Sequence, residues 1–206
     1  MKKHQSKQQW LDEHVSDEYV KKAQKDGYRS RAAYKLLEIN ERDHILSPGM
    51  RVVDLGAAPG SWSQVAAKIV TKNGQVIGLD LLTVDPVNDV KFLQGDFRED
   101  DIYEVLMSEL QGKEVDVVIS DMAPNISGMG SVDQPRTIYL AELVQEFSRK
   151  VLKKGGCVLI KLFQGAGFDD FVSSLRSDFK KVYIRKPKAS RARSREVYLL
   201  GKGYLN

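Results

Sequence analysis

From residue 51 onward the chain repeats one pattern: a short apolar run, then a stretch with helical spacing. The apolar runs are Arg51–Leu55, Gln75–Leu79, Val90–Leu93, Val115–Ser120, Cys157–Leu162, Lys181–Arg185 and Val197–Gly201. Most lack the apolar/polar alternation of a strand with one wet face. Continuous runs of this length suit strands buried on both sides, and such strands build mostly parallel sheets with helices on each face. The helix-like stretches Ser61–Val70, Ile102–Leu110, Pro135–Leu152 and Phe168–Asp178 supply those helices. The last two runs are joined by a basic loop with no helical signal, so they read as an antiparallel pair ending the sheet. The expected class is α/β, with seven strands, mostly parallel, and a terminal antiparallel hairpin.

The first 48 residues read differently. Residues 7–25 look helical and weakly amphipathic. A second helix is expected over Ser30–Leu46, with Ser30 as its N-cap and Pro48-Gly49 as its stop. A length of 206 residues fits one domain. The expected division is a helical, basic extension over 1–48 and an α/β core over 49–206. The net charge of +4 decides little, but its distribution does. Eight Lys or Arg and no acid fall between Lys180 and Arg195, and residues 1–35 hold nine Lys or Arg against five acids. Basic segments at both ends of a near-neutral middle point to a polyanion such as RNA. The single cysteine, Cys157, excludes a disulfide framework and a cysteine-built metal site. No metal is expected. Neither a secretory leader nor a membrane span is legible, so the expected location is the cytoplasm.

The turn after the first run, "VVDLGAAPGSWSQ", points to a ligand site. In an open α/β sheet, ligands bind beyond the carboxyl ends of the strands. Gly56 and Gly60 let the backbone approach a ligand, with Pro59 between them. The spacing is not the GxGxxG of a dinucleotide turn, and Asp54 would repel a pyrophosphate. A carboxylate there suits a cation, and S-adenosylmethionine carries a sulfonium and an ammonium and no phosphate. Asp80 ends the second run, placed for ribose hydroxyls. Asp96 and Phe97 follow the third, placed for an adenine. Asp121 follows the fourth. Trp62 reads either as core or as a cover for the methionine part.

At these residues the chain resembles a known family. "VVDLGAAPGSWSQ", "FLQGDFRE", "SDMAPNISG" with "PRTIYL", "KLFQGAGFD" and "KPKASRARSREVYLL" are together similar to the FtsJ-type ribosomal RNA methyltransferases, nearly colinearly from Trp10 to Leu200. Ser61 departs from the pattern where a further glycine is common. The resemblance implies a Rossmann-like methyltransferase fold. It also implies methyl transfer from S-adenosylmethionine to the ribose 2′-oxygen of a uridine in 23S rRNA, on the large ribosomal subunit. A monomer with no obligate protein partner is expected. Other RNA substrates (a tRNA or an mRNA cap) and a non-catalytic RNA-binding assembly factor are the alternatives.

The resemblance also implies a Lys-Asp-Lys-Glu tetrad, which falls here on Lys35, Asp121, Lys161 and Glu196. Lys161 interrupts an apolar run near a strand end, where a lysine is costly unless paired, and Asp121 is its expected partner. Glu196 and Lys35, taken alone, read as surface charges. Lys161 acts either as a general base or as a charge that orients the hydroxyl and stabilises the developing alkoxide, and the sequence leaves both open. Lys186, Lys188, Arg191, Arg193 and Arg195 are the candidate phosphate contacts. Tyr28, Tyr34 and Tyr198 are candidates for stacking on bases.

Overall fold

A computed structural model describes residues 17–124, 127, 129–191 and 194–206. Most of the first expected helix, and Arg193, lie outside the described residues. Helix α1 (Glu18–Asp26) is capped by Asp17, whose carboxylate accepts the Tyr19 N–H at 3.0 Å, and it stops at Gly27 with a left-handed φ of 74°. Helix α2 (Ala33–Asp43) starts three residues later than expected. Ser30 does not cap it: Ser30 Oγ accepts the Ala32 N–H within the preceding turn and pairs with Ser61 Oγ at 2.7 Å.

The core then follows as β1 (Arg51–Leu55), α3 (Ser61–Val70), β2 (Gln75–Asp80), β3 (Val90–Gln94), α4 (Asp100–Leu110), β4 (Val115–Ser120), α5 (Gly130–Val151), β5 (Leu152–Phe163), α6 (Phe168–Asp178), β6 (Phe179–Arg185) and β7 (Glu196–Tyr204). The sheet order is β3-β2-β1-β4-β5-β7-β6. The first five strands are parallel, and β7 runs antiparallel to both β5 and β6. The returning strand therefore inserts inside the sheet and leaves β6 at the edge. The sequences explain this choice. β7 is apolar and buried through Val197–Gly201, whereas β6 carries exposed Lys180 and Lys181, which suit an edge.

Two elements are longer than the sequence pattern indicates. α5 begins at Gly130, five residues before Pro135, although proline favours the first helical position. β5 begins at Leu152, before the polar and glycine-rich Lys153–Gly156 that hides its start.

Alternate residues of each strand face opposite sides of the sheet. Val53, Leu55, Ile77 and Leu79 pack with α4, α5 and α6, where Leu106, Phe147 and Leu175 are buried. Val52, Val76, Ile119, Leu159, Tyr198 and Leu200 pack on the other side with Leu36 and Ile39 of α2 and Trp62 and Val65 of α3. Helix α2 thus shares a core with the sheet. Among the described residues, no helix is long and apolar enough to cross a membrane.

Candidate active site

The chain runs outward from β1 to β3 and returns to β4 on the other side of β1. At that reversal the loops beyond β1 and β4 diverge and leave a crevice. A cavity of about 550 Å³ opens there, lined by Gly56 and Ala58, Asp80–Leu82, Gly95–Arg98, Asp121–Pro124, and Arg136 and Tyr139 of α5. Gly56 is required by packing as well as by its φ of 78°: a Cβ there would lie 2.4 Å from Met122 Cγ and 3.0 Å from the Met122 nitrogen.

The acids of this edge are held in different ways. Asp80 accepts two backbone N–H groups, from Ala58 at 2.8 Å and Leu82 at 2.9 Å, and so ties the turn after β1 to the loop after β2. Asp96 is paired with Arg98, whose guanidinium hydrogen bonds hold its carboxyl below the usual range. Phe97 lines the cavity and meets Phe147 edge to face at 5.4 Å. Asp54 lies beneath, wholly buried on the α3 side. Burial pushes its carboxyl up to about 7, and nearby Asp121 and Asp80 add to this against the hydroxyl of Ser63, which donates to Oδ2 at 2.6 Å. Its Oδ1 is buried without a hydrogen-bond partner among the described residues.

One open reading is decided here and one expectation fails. Trp62 is 2% exposed, packs tilted against Tyr198 with ring centroids 5.6 Å apart, and donates its indole N–H to the Ala32 carbonyl at 2.8 Å. It is core, and it does not reach the cavity, because its position in the first turn of α3 faces the sheet. Pro59 is exposed and turns its carbonyl to Arg29; it also lies off the cavity wall.

The tetrad residues converge beside this cavity, on the α2 face of the sheet. Register does most of the work. Ser120 of β4 is level with Ile160 of β5, so Asp121 and Lys161 are neighbours, and Lys161 is level with Tyr198 of β7. Lys161 Nζ lies 3.1 Å from Asp121 Oδ1 and also donates to the Asp121 carbonyl. Lys35 of α2 lies 2.7 Å from Glu196 Oε1. Between the two ion pairs stands Tyr198, whose hydroxyl is 2.8 Å from Asp121 Oδ1 and 3.3 Å from Glu196 Oε1. Ser190 Oγ donates to the same Glu196 oxygen at 2.9 Å.

Electrostatics fix the charge states of the bridge. Burial would raise the Asp121 carboxyl, but the Lys161 and Lys35 ammoniums and the Tyr198 hydroxyl outweigh it and hold it below its usual range. Burial, then Asp121 and Glu196, pushes the Tyr198 hydroxyl well above 10. Asp121 is therefore an ionised acceptor at neutral pH and Tyr198 a protonated donor.

Tyr198 was expected on the RNA surface; it is 0% exposed because it lies in an inner strand. A signal for its bridging place was available. It follows Glu196 by two residues on a strand, so the two share a face. Tyr34 is also buried and donates to Asp26 at 2.8 Å; Tyr28 meets it edge to face at 5.8 Å.

The basic loop and the N-terminal segment meet. Arg31 donates to the Ala189 carbonyl and pairs with Asp17, and the Lys188 N–H donates to both oxygens of Glu38 at 2.8 and 2.9 Å. Lys186 Nζ donates to the carbonyls of Ser194 and Glu196, so it holds the loop's own backbone. The Lys188 and Arg195 side chains are exposed, and Arg191 is half-buried.

The profile of the FtsJ-like methyltransferase family matches residues 28–204. A protein from Methylobacillus flagellatus called ribosomal RNA large subunit methyltransferase E is 59% identical over 201 residues, 98% of this chain and 97% of its own. A protein of the same name from Stutzerimonas stutzeri is 52% identical over 204 residues, 99% of each. A crystal structure described as a ribosomal RNA methyltransferase from Plasmodium falciparum superposes with a TM-score of 0.78 at 32% identity, covering 87% of this chain and 100% of that one. The fibrillarin/Nop5p complex matches with a TM-score of 0.60 at 19% identity over 85% of each chain, a likeness of fold alone.

Proposed function

The chain belongs to the FtsJ-like methyltransferase family, and on that premise we propose that it methylates the ribose 2′-oxygen of a uridine in 23S rRNA, on the large ribosomal subunit, with S-adenosylmethionine as donor. The observation that carries this reading is the double role of Asp121. It lines the cavity at the sheet's switch point, and it is the partner of Lys161. A ligand in the cavity and a hydroxyl beside Lys161 would therefore meet.

The cavity fits the cofactor in its donor set. Three carboxylates, Asp80, Asp96 and Asp121, stand in a largely apolar wall, with Asp54 beneath carrying a buried oxygen that has no hydrogen-bond partner among the described residues. Such a wall suits ribose hydroxyls, an adenine amino group and an ammonium, and it disfavours a pyrophosphate. Asp80, Asp96, Phe97 and Gly56 line the cavity and would hold it, whereas the expected contacts Asp54 and Gly60 are buried off its wall and support the turn from behind. When bound, S-adenosylmethionine supplies an electrophilic methyl group.

The chain's own residues do the rest. A sugar hydroxyl must shed its proton as it attacks, and Lys161 is the group that meets it, as base or as a charge on the developing alkoxide. Ionised Asp121 holds Lys161 by two acceptors and fixes where its nitrogen points. Tyr198 and the Lys35–Glu196 pair hold Asp121 in turn. Alignment of the two reactants supplies a further part of the rate. Lys188, Arg191 and Arg195, with Lys186 shaping their loop, would bind phosphates and position the RNA. The core that α2 shares with the sheet supports reading the described helical segment and the α/β core as one domain. A ribosomal substrate implies a cytoplasmic protein.

The test is a map of ribose methylation on rRNA from cells lacking the protein. One 2′-O-methyluridine of 23S rRNA should vanish, return with the wild-type gene, and not return with Lys161→Ala. An unchanged 23S rRNA pattern would overturn the reading.

A further inference from the structure

The N-terminal basic residues look from the sequence like one arm of a clamp on RNA, but Arg29 is turned the other way. It sits in the turn between α1 and α2, stitched to α3: its backbone N–H donates to Gln64 Oε1 at 3.0 Å, and Gln64 Nε2 donates to the Gly27 carbonyl at 3.1 Å. From there its guanidinium reaches three carbonyl oxygens. Nη1 donates to Pro59 at 2.9 Å and to Asp85 at 2.7 Å, and Nη2 donates to Pro86 at 2.8 Å. Pro59 belongs to the turn after β1. Asp85 and Pro86 belong to the loop between β2 and β3. One side chain thus joins two segments that both border the cavity, Ala58 lining it from the first and Leu81 and Leu82 from the second.

Gly60 is shaped to this contact. A Cβ there would lie 2.7 Å from Arg29 Nη1 and 3.1 Å from Val84 Cγ1, so a bare backbone lets the guanidinium and the loop close together. The loop needs such a hold. Leu81 and Leu82 are 60% and 66% exposed, so burial does little to fix them. A planar fork with several N–H groups can gather carbonyls in this way, whereas a lysine is a single point of charge.

We propose that Arg29 is a positioning residue of the cofactor cavity: it clamps residues 58–60 to the loop 81–86 and so links the wall of that cavity to the N-terminal segment that carries Lys35. This rests on reading the cavity as the S-adenosylmethionine site. It also removes Arg29 from the RNA contacts, because a phosphate would have to displace three backbone acceptors.

The test compares wild type, Arg29→Ala and Arg29→Lys in three measurements: calorimetric binding of S-adenosylmethionine without RNA, hydrogen exchange over residues 81–89, and the salt dependence of RNA binding. Arg29→Ala should bind the cofactor roughly 10-fold more weakly, the scale of stranded hydrogen-bond partners. Exchange over the loop should quicken, while the RNA salt slope stays at the wild-type value. Arg29→Lys, which keeps the charge, should show a smaller loss of the same kind, and it decides the matter if the alanine variant does not fold. Unchanged cofactor affinity and exchange in the folded variants would overturn the clamp. So would a salt slope lowered by about 0.7–0.9 with normal cofactor affinity, which marks a phosphate ligand. Failure of wild type itself to bind S-adenosylmethionine would instead overturn the cofactor reading, and loop exchange would still report separately on the clamp.

Discussion

The cavity edge and the charged quartet lie side by side, yet they are held by different means. At the cavity edge the acids sit at or just beyond strand ends, and most partners are near in sequence. Asp96 takes Arg98, Asp54 takes Ser63 nine residues on, and Asp80 takes the Leu82 amide as well as the more distant Ala58 amide. In the quartet the partners are far apart: Lys161 and Asp121 are separated by 40 residues, and Lys35 and Glu196 come from opposite ends of the chain. The first arrangement is made by turns, the second by sheet register and by α2 packing on α3. The difference teaches that cofactor binding and activation of the hydroxyl should fail separately when residues other than the shared Asp121 are changed.

The largest expected effect is in the quartet. Lys161→Ala should keep cofactor binding and lower single-turnover methyl transfer by roughly 10²–10⁴-fold, the scale of a lost acid–base group. Lys161→Arg sharpens this: a base predicts arginine as inactive as alanine, and an electrostatic role predicts partial activity. The comparison breaks if Lys161→Ala loses the cofactor as well.

The next concerns Asp54. Its carboxyl titrates at about 7 in the folded protein against 3.8 for the free side chain. Below pH 3.8 it is protonated in both states. Between these values the unfolded chain releases the proton first, so this residue's contribution to stability falls as pH rises and levels off above about 7. Asp54→Asn cannot ionise. Wild-type stability minus variant stability, from urea titrations, should drop by a few kcal/mol across that window. Parallel curves would show that Asp54 is not buried as described.

Tyr198→Phe should have the smallest effect. Both ion pairs survive without the hydroxyl, so the rate should fall roughly 10-fold, the scale of one hydrogen bond to a charge. Asp121 loses one of the groups holding its carboxyl down, so the acid limb of the pH–rate profile should move to higher pH. An unmoved limb would remove Tyr198 from the bridge.

The same contrast explains what the sequence revealed. Strand runs and the glycine turn are local signals, and β1, β4, α3 and α6 lie where the apolar pattern places them. The start of β5 was hidden by Lys153–Gly156, whose backbone joins the sheet without apolar side chains to mark it. Convergence of the quartet follows from which strand lies beside which. That is why Lys35 and Glu196 looked like surface charges until the family pattern joined them. Trp62 stayed open and Tyr198 misled for a related reason: a large aromatic at a turn or strand end suits a ligand and a core equally, and only the packing of α3 on β7 decides. The Arg29 contacts span 30 to 57 residues and end on carbonyl oxygens, which leave no trace in side-chain identity.

The separation of the two halves is tested most directly by single-turnover transfer of labelled methyl to large-subunit particles as a function of S-adenosylmethionine concentration, for Asp80→Ala and Lys161→Ala. Asp80→Ala frees two backbone N–H groups at the cavity wall and should weaken cofactor binding by about 1–3 kcal/mol. Its rate should climb to within a few-fold of wild type once the cofactor saturates. Lys161→Ala should saturate at wild-type concentrations and stay slow at every one of them. A Lys161→Ala rate that recovers at high cofactor concentration, or an Asp80→Ala rate that stays low, would contradict the division of the site described above.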